Sequence, residues 1–374
     1  MRAAEKRGKI LLTENCECGL MDGCHSDQNK PNMKPSPKLL AVTLVICGLM
    51  AQPASALLTI DTVSVGNAGN ANDSTGYGGV NYNYSIGRYE VTVSQYAAFL
   101  NAVAKADTYS LWNPSMGSDL TIAGISRSGL SGSYTYTALN GGNQPITYVN
   151  WFDAARFVNW LQNGQPTGAQ GPGTTETGTY ILNGATSGVG FTRDPNAVYG
   201  LPTETEWYKA AYYDPTLNAG SGGYWLYPTR NNAIPNSRNG SASDPNSANF
   251  FRDDGTANGY NGGYAVNNSV TAPSGLALTP GGAFSLASSY YGTFDQGGNV
   301  WEWNDAVIGS ARGIRGGSWS GNESVLRATS RSSFSPANES SIIGFLLAMI
   351  PEPSAVGLLT LGLVFLALKR KQAR

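Results

Sequence analysis

Beyond residue 56 this chain of 374 residues contains no cysteine and no histidine: Cys16, Cys18, Cys24, Cys47 and His25 are its full complement of both. Residues 57–350 therefore form no disulfide and offer a metal neither thiolate nor imidazole, the ligands that soft Cu(I) requires. A Ser-His-Asp hydrolase fails for want of a base, and no G-x-S-x-G elbow follows a strand. The early Cys16, Cys18, Cys24 and His25 have a spacing that fits no common zinc finger. Basic side chains are scarce too. Residues 57–350 carry 13 Lys and Arg against 19 Asp and Glu, a net charge of −6. That balance excludes nucleic acid as a partner, since phosphate binding needs a basic face.

Long apolar runs occur only near the two ends. Around Met33 the chain reads "MKPSPKLLAVTLVICGLMAQPASALLTI": two lysines, an apolar run from Leu39 to Met50, then Ala54-Ser55-Ala56. A basic start, a short apolar stretch and an A-x-A exit mark residues 33–56 as a secretory signal peptide. Residues 1–32 then read as a misassigned start or a long leader. At the other end, Ala355 to Leu368 is apolar and is followed by Lys369, Arg370, Lys371 and Arg374. As a helix that run spans about 21 Å against an apolar core of ~30 Å, a marginal anchor whose basic tail stays cytoplasmic.

Three segments between these ends carry helix grammar. In "RYEVTVSQYAAFLNAV", Thr92 precedes Gln95 by three residues, a capping box, and Tyr96, Phe99, Leu100 and Val103 follow one buried face. In "PITYVNWFDAARFVNWL", Asn150 caps and Trp151, Ala154, Ala155, Val158 and Leu161 face the core. "GLPTETEWYKAAYY" repeats the device with Thr203 and Glu206, and turns Trp207, Ala210 and Ala211 inward. Short strands are expected at Leu58–Val65, Tyr82–Val91, Gly313–Trp319 and Ile342–Met349, the last two closing the sheet. Connections at 66–80, 113–143, 163–190 and 229–285 are longer than ordinary loops. With no internal repeat and no Pro- or Ser-rich linker, residues 57–350 read as one domain.

Six segments then fall in a family's order: "IGRYEVTVSQYAAFL", "QPITYVNWFDAARFVNWL", "YGLPTETEWYKAA", "GTFDQGGNVWEWND", "IRGGSWSGNESVLRATSR" and "IGFLLA". The series resembles the formylglycine-generating (sulfatase-modifying factor) domain over about residues 59–348. The resemblance implies a single large α+β fold related to C-type lectins, with little regular secondary structure, long loops and two helices flanking mixed sheets. The C-terminus resembles the PEP-CTERM sorting signal: Pro351-Glu352-Pro353, the hydrophobic segment 355–368 and the basic tail, together 351–374. That likeness implies a sorting protease of the envelope as partner, transient anchoring in the membrane, and an exported location for residues 57–350.

The family's founding activity oxidises a sulfatase cysteine to formylglycine with copper on two thiolates. By resemblance those positions are Gly321 and Leu326, two and seven residues beyond Trp319. Neither side chain binds copper, so the resemblance implies loss of the cofactor while Trp303 and Ser318 keep the walls of the oxygen pocket. A related iron-dependent branch needs histidines and is excluded likewise. Calcium is the cofactor to expect instead. Gly298, Asn299, Val300 and Glu302 match a structural calcium site of the family and are hard oxygen donors of the kind Ca²⁺ takes. Its alternative is an apolar turn with Glu302 paired to Arg315. A second calcium site falls near Asn249, Phe250 and the run at 258–264.

Other features have plainer readings. Glu204 and Glu206 suit the dipole of a helix N-terminus better than a glycosidase pair. Arg312, Arg315, Arg327 and Arg331 tie loops together or bind an anion. Trp112, Tyr134, Tyr136, Tyr224, Trp225 and Tyr227 stack on sugars or fill minor core. The expected function is that of a non-catalytic binding or matrix protein at the cell envelope, with a glycan or protein ligand. The alternative is a formylglycine-generating oxidase whose ligands come from elsewhere.

Overall fold

The computed structural model describes residues 57–122, 124–238, 244–253 and 262–350; the signal, the sorting tripeptide Pro351-Glu352-Pro353 and residues 258–261 lie outside them. The three capping boxes produce the three long helices. In α1 (Val93–Val103) the Thr92 hydroxyl accepts from Gln95 N at 3.2 Å, and the Gln95 carbonyl oxygen Oε1 accepts from Thr92 N at 2.9 Å. A single turn, α2 (Ser115–Ser118), precedes α3 (Trp151–Gln162), where Asn150 and Asp153 exchange the same pair of bonds. Thr203 and Glu206 do so for α4 (Glu204–Tyr212). Each box satisfies N–H groups that a helix start leaves without partners.

Packing follows from the apolar spacing. Tyr96, Phe99, Leu100 and Val103 of α1 are all buried against α3, where Phe99 meets Phe157 edge-on with ring centres 5.3 Å apart. Helix α3 is buried from Trp151 to Leu161, polar residues included, so its sequence periodicity understates its burial. Helix α4 heads a second core with Trp207, Tyr208, Tyr212, Tyr84, Ile86 and Leu346.

Strands are short. One sheet has the order β1 (Thr62–Val65), β2 (Tyr84–Gly87), β14 (Ala348–Met349), β5 (Tyr199–Gly200), antiparallel throughout. The antiparallel pairs β3 (Ile125–Ser128)–β4 (Thr135–Ala138), β6 (Tyr213–Asp214)–β7 (Gly223–Tyr224) and β8 (Phe251–Asp253)–β9 (Gly262–Tyr264) form separate two-stranded sheets. The second sheet runs β12 (Ser332–Phe334), β11 (Ala311–Arg315), β10 (Trp301–Ile308), β13 (Ile343–Gly344).

Three sequence expectations change here. Trp301–Ile308, read as a turn or metal loop, is the longest strand, joined to β11 through Gly309-Ser310. The strand expected over Gly313–Trp319 ends at Arg315, because Gly316 and Gly317 turn away at φ 101° and 80°. Ile342–Met349 splits into β13 and β14, which serve different sheets.

Long loops are fixed by buried charge. Arg156 of α3 grips Glu176 through Nε–Oε1 at 2.7 Å and Nη2–Oε2 at 3.1 Å, with both side chains almost fully buried. Asn159 next to it bonds the main chain of Thr175 and Tyr180. The loop after α3 is thereby ordered without strand or helix. Glu204 and Glu206 sit where the helix dipole favours acids, and each also carries an ion pair: Glu204 with Arg315 and Arg331, Glu206 with Arg193.

Asp305 closes this region, accepting from the Tyr180 hydroxyl at 2.9 and 3.0 Å, with Arg312 Nη1 at 4.0 Å. Burial raises its carboxyl from 3.8 to about 7, against the opposing pull of Arg193, Tyr180 and Arg312 and helped by Glu206. The native state thus holds a proton that the unfolded chain releases above about 4. This contribution is full below that pH and is lost as pH rises to 7, at no more than about 1.4 kcal/mol per pH unit. Urea titrations from pH 4 to pH 8 should show stability falling, and Asp305→Asn should flatten the slope. An unchanged slope in the variant assigns the effect elsewhere.

Candidate functional site

Strand β10 places alternate side chains on opposite faces. Trp301 and Trp303 enter the main core, where the Trp303 indole N–H donates to the Val149 carbonyl at 3.0 Å. Glu302 points the other way, towards α4, and its Oε2 accepts from the Trp207 indole at 2.5 Å. Main-chain pairing sets Glu302 opposite Arg315, but the Arg315 guanidinium goes to Glu204. The Glu302–Arg315 ion pair expected as the alternative to a metal is not formed.

Glu302 Oε1 has no hydrogen-bond partner, and Glu90 has none of good geometry, although the Asn299 amide lies near enough to draw its carboxyl down. Both side chains are at least 98% buried. Burial first, then the charge of Asp295, pushes the Glu302 and Glu90 carboxyls well above the usual range, and Glu302 adds to the shift at Glu90. Asp295 itself is raised to about 6 by burial, although Gly282 N donates to it at 2.6 Å. Leaving buried acceptors unpaired costs on the order of 1–3 kcal/mol each. Like charges brought together in this way suit a bound cation. Among the described residues, however, no three Asp, Glu, Cys or His side chains converge closely enough to hold a metal. Any cation held here would need main-chain and amide oxygens to complete its shell.

Those oxygens lie in the turn before β10. Gly298 adopts φ 94°, and a Cβ there would lie 2.2 Å from the Asn249 carbonyl oxygen, so only glycine fits. Asn299, at φ 57°, donates from its N to Asn249 O at 2.7 Å. Its Oδ1 accepts from Asn249 Nδ2 at 3.0 Å and from Thr279 N at 3.1 Å. Asn249 and Asn299, read from sequence as parts of two separate sites, therefore share one wall. Phe250 is buried beside them, its carbonyl accepting from the Ser237 hydroxyl. Val300 is buried at the entry to the strand. Glu90 and Asp295 escaped sequence reasoning: Glu90 precedes a capping box and reads as the end of a strand, and only tertiary packing buries it.

The stretch after β11 is closed. Gly321 donates to Ser318 O and accepts from Phe251 N, and a Cβ built on it would meet Val325 Cγ2 at 2.7 Å. Leu326 is fully buried with Tyr227, Ala248 and Phe250. Ser318 is buried, its hydroxyl 3.4 Å from that of Ser320. The four arginines of this region tie segments together. Arg312 donates to the carbonyls of Asp305, Val189 and Phe191, Arg315 to Glu204, Ala328 and Ser330, Arg327 to the Tyr227 hydroxyl, and Arg331 to Glu204. Of the surface aromatics expected to meet sugars, Tyr136 and Tyr227 are buried, and Trp112 and Tyr134 clamp Arg127 at 4.0 and 4.2 Å. Tyr224 packs on Tyr208 and Tyr213, and the Trp225 indole donates to Asp214.

The family description "Sulfatase-modifying factor enzyme 1-like domain" matches residues 66–350, and "PEP-CTERM protein-sorting motif" matches residues 350–371. No curated protein matches the chain. Among solved structures the chain is similar to CarF at 22% identity, over 79% of this chain and 100% of that one, with a TM-score of 0.42. It is similar to Treponema denticola variable protein 1 at 18% identity (79% and 97% covered, TM-score 0.40). PvdO from Pseudomonas aeruginosa is also 18% identical (79% and 93% covered, TM-score 0.37).

The crowding at Gly321 has a measurable consequence. Gly321→Cys should destabilise the protein by about 1–3 kcal/mol through overpacking against Val325. Adding Val325→Ala should recover part of that loss. Melting curves in which Gly321→Cys matches the parent would show the space to be open.

Proposed function

The chain belongs to the sulfatase-modifying factor enzyme 1-like family and carries a PEP-CTERM sorting motif, and from this premise we propose that it is an exported envelope protein that binds without catalysing. One observation carries the reading: both family copper positions are occupied in ways that exclude the metal. Gly321 has no side chain and Val325 fills the space beside it, while Leu326 is turned into an apolar cluster. Thiolate or imidazole, which Cu(I) needs, is not available anywhere from residue 57 onwards. Ser318 and Trp303 remain, but a hydroxyl and an indole do not activate oxygen by themselves.

The export reading assigns residues 33–56 to a cleaved signal peptide and residues 351–374 to sorting by an envelope protease, with 355–368 as a temporary hold in the membrane. No helix among the described residues is long and apolar enough to cross a membrane, and 355–368 lies outside them. Protein purified as residues 57–350, which holds no cysteine or histidine, should bind no stoichiometric copper and leave a cysteine-containing sulfatase peptide unmodified. Mass spectrometry detecting formylglycine above the enzyme-free control would overturn the non-catalytic reading and restore the oxidase.

Calcium, in a structural role away from the copper positions, is the cofactor we assign. Glu302 and Asp295, with the carbonyls of Gly298 and Val300 and the amide oxygen of Asn249, are hard donors, Asn299 Oδ1 already accepts from Asn249 and Thr279 and would hold the wall in place, and Glu90 adds negative charge. The unpartnered oxygens of Glu302 and Glu90 support this reading. Bound calcium would neutralise buried acids and hold the β10 turn to the Asn249 segment. Chelation should then lower the melting temperature, since a ligand bound only to the folded state stabilises it by mass action. Glu302→Gln should diminish that response, and coincident curves with calcium and with chelator would remove the site.

A further inference from the structure

A cavity of about 520 Å³ opens between the end of α1, the tip of the β3–β4 hairpin and the segment that follows α3. It is remote in sequence from the GGSW stretch and from the β10 turn. Its apolar lining consists of small residues, Ala102, Ala106, Gly132, Gly168 and Ala169, which leave room for a ring to approach the main chain. Its polar lining includes Lys105, Thr108 and Thr167, none of which has a side-chain partner in the structure. The volume lies in the range of small-ligand sites.

Lys105 is exceptional in this protein. Among the described residues every arginine, and Lys209 as well, has a hydrogen-bond, ion-pair, ring or electrostatic partner. Lys105 alone stands exposed without one, and the cavity opens beside it. The domain has a net charge of −6, so a cation left without a partner beside a cavity is a local exception to its overall balance. A peptide added as an extra strand finds little to bond, because the Ala102 carbonyl already accepts from Gly168 N and the Lys105 carbonyl from Gly132 N and Tyr134 N. Free hydroxyls beside one ammonium, above a floor without bulky side chains, suit a hydroxylated ring that bears a single carboxylate.

We propose that this cavity binds an acidic sugar, a uronic acid unit of an anionic polysaccharide, with its carboxylate on Lys105 and its hydroxyls on Thr108 and Thr167. The proposal rests on the exported, binding role argued above, since such polymers lie outside the cytoplasm. The test is calorimetric titration of the full-length protein in mild detergent at low salt with tetragalacturonate, its neutral methyl ester and an oligoglutamate peptide. The acid should bind, the ester and the peptide should not, and added salt should weaken binding. Lys105→Gln should lose at least tenfold in affinity, the effect of removing a charge-assisted contact. Ala106→Trp, at an exposed position, should block the cavity while leaving the melting temperature unchanged. Failure of the acid to bind, equal binding of the peptide, or parental affinity in both variants would overturn the assignment. None of these measurements reads copper or formylglycine, so this proposal and the non-catalytic reading fail separately.

Discussion

The carboxylate of Glu204 is where three distant segments meet. Arg315 reaches it from β11 at 2.8 Å and Arg331 from the loop beyond at 2.7 Å, while Glu204 itself opens α4. Arg315 also holds the carbonyls of Ala328 and Ser330, so the return of the chain after Leu326 hangs on the same pair. Breaking a buried pair of this kind costs about 3–5 kcal/mol, because the remaining charge stays buried alone. A domain without cysteine beyond residue 56 has no disulfide to fix its loops, and buried Arg–Glu pairs take that part. Arg156–Glu176 does it for the loop after α3, and Arg193–Glu206 for the approach to α4. The unpaired acids Glu90 and Glu302 stand out against this background, which is why a cation is the natural complement to them.

Local chemistry made the helices legible. A capping residue and its partner three positions on define a helix start within four residues, and the apolar spacing then defines the buried face. The strands were less so. Trp301–Ile308 contains Glu, Asn and Asp among its first five residues, a composition that favours turns, and becomes a strand because β11 and β13 flank it. Ile342–Met349 is a continuous apolar run, and nothing local says that Phe345–Leu347 must bridge two sheets. Burial of polar residues was equally hidden. Lys209 of α4 is fully buried, with its ammonium on the Asn67 carbonyl at 2.9 Å and its pKa lowered to about 8 by burial.

The candidate site was legible in part for the same reason. Asn299 and Glu302 stood out as oxygen donors close in sequence, and the structure holds Asn299 against Asn249 across 50 residues of chain. Asp295 and Glu90 join them only through tertiary contacts. The Gly321 region was legible through the resemblance, which marks Gly321 and Leu326, and the sequence shows that neither carries sulfur. That Val325 Cγ2 would lie 2.7 Å from a Cβ at Gly321 is a fact of packing that no local sequence signal shows.

The position of the last strand bears on how such a protein is handled after synthesis. Strand β14 is an inner strand, hydrogen-bonded to β2 on one side and β5 on the other, and Ile350 N donates to the Val198 carbonyl. Pro351 follows at once and has no N–H with which to extend the ladder. The tripeptide Pro351-Glu352-Pro353 follows β14 after the single residue Ile350, with no linker in the sequence between them. An edge strand could peel away to admit an enzyme; an inner strand has two ladders to break. Whatever acts on Pro351-Glu352-Pro353 must work against a folded wall on its N-terminal side, and that wall is built from the residues the family match ends on.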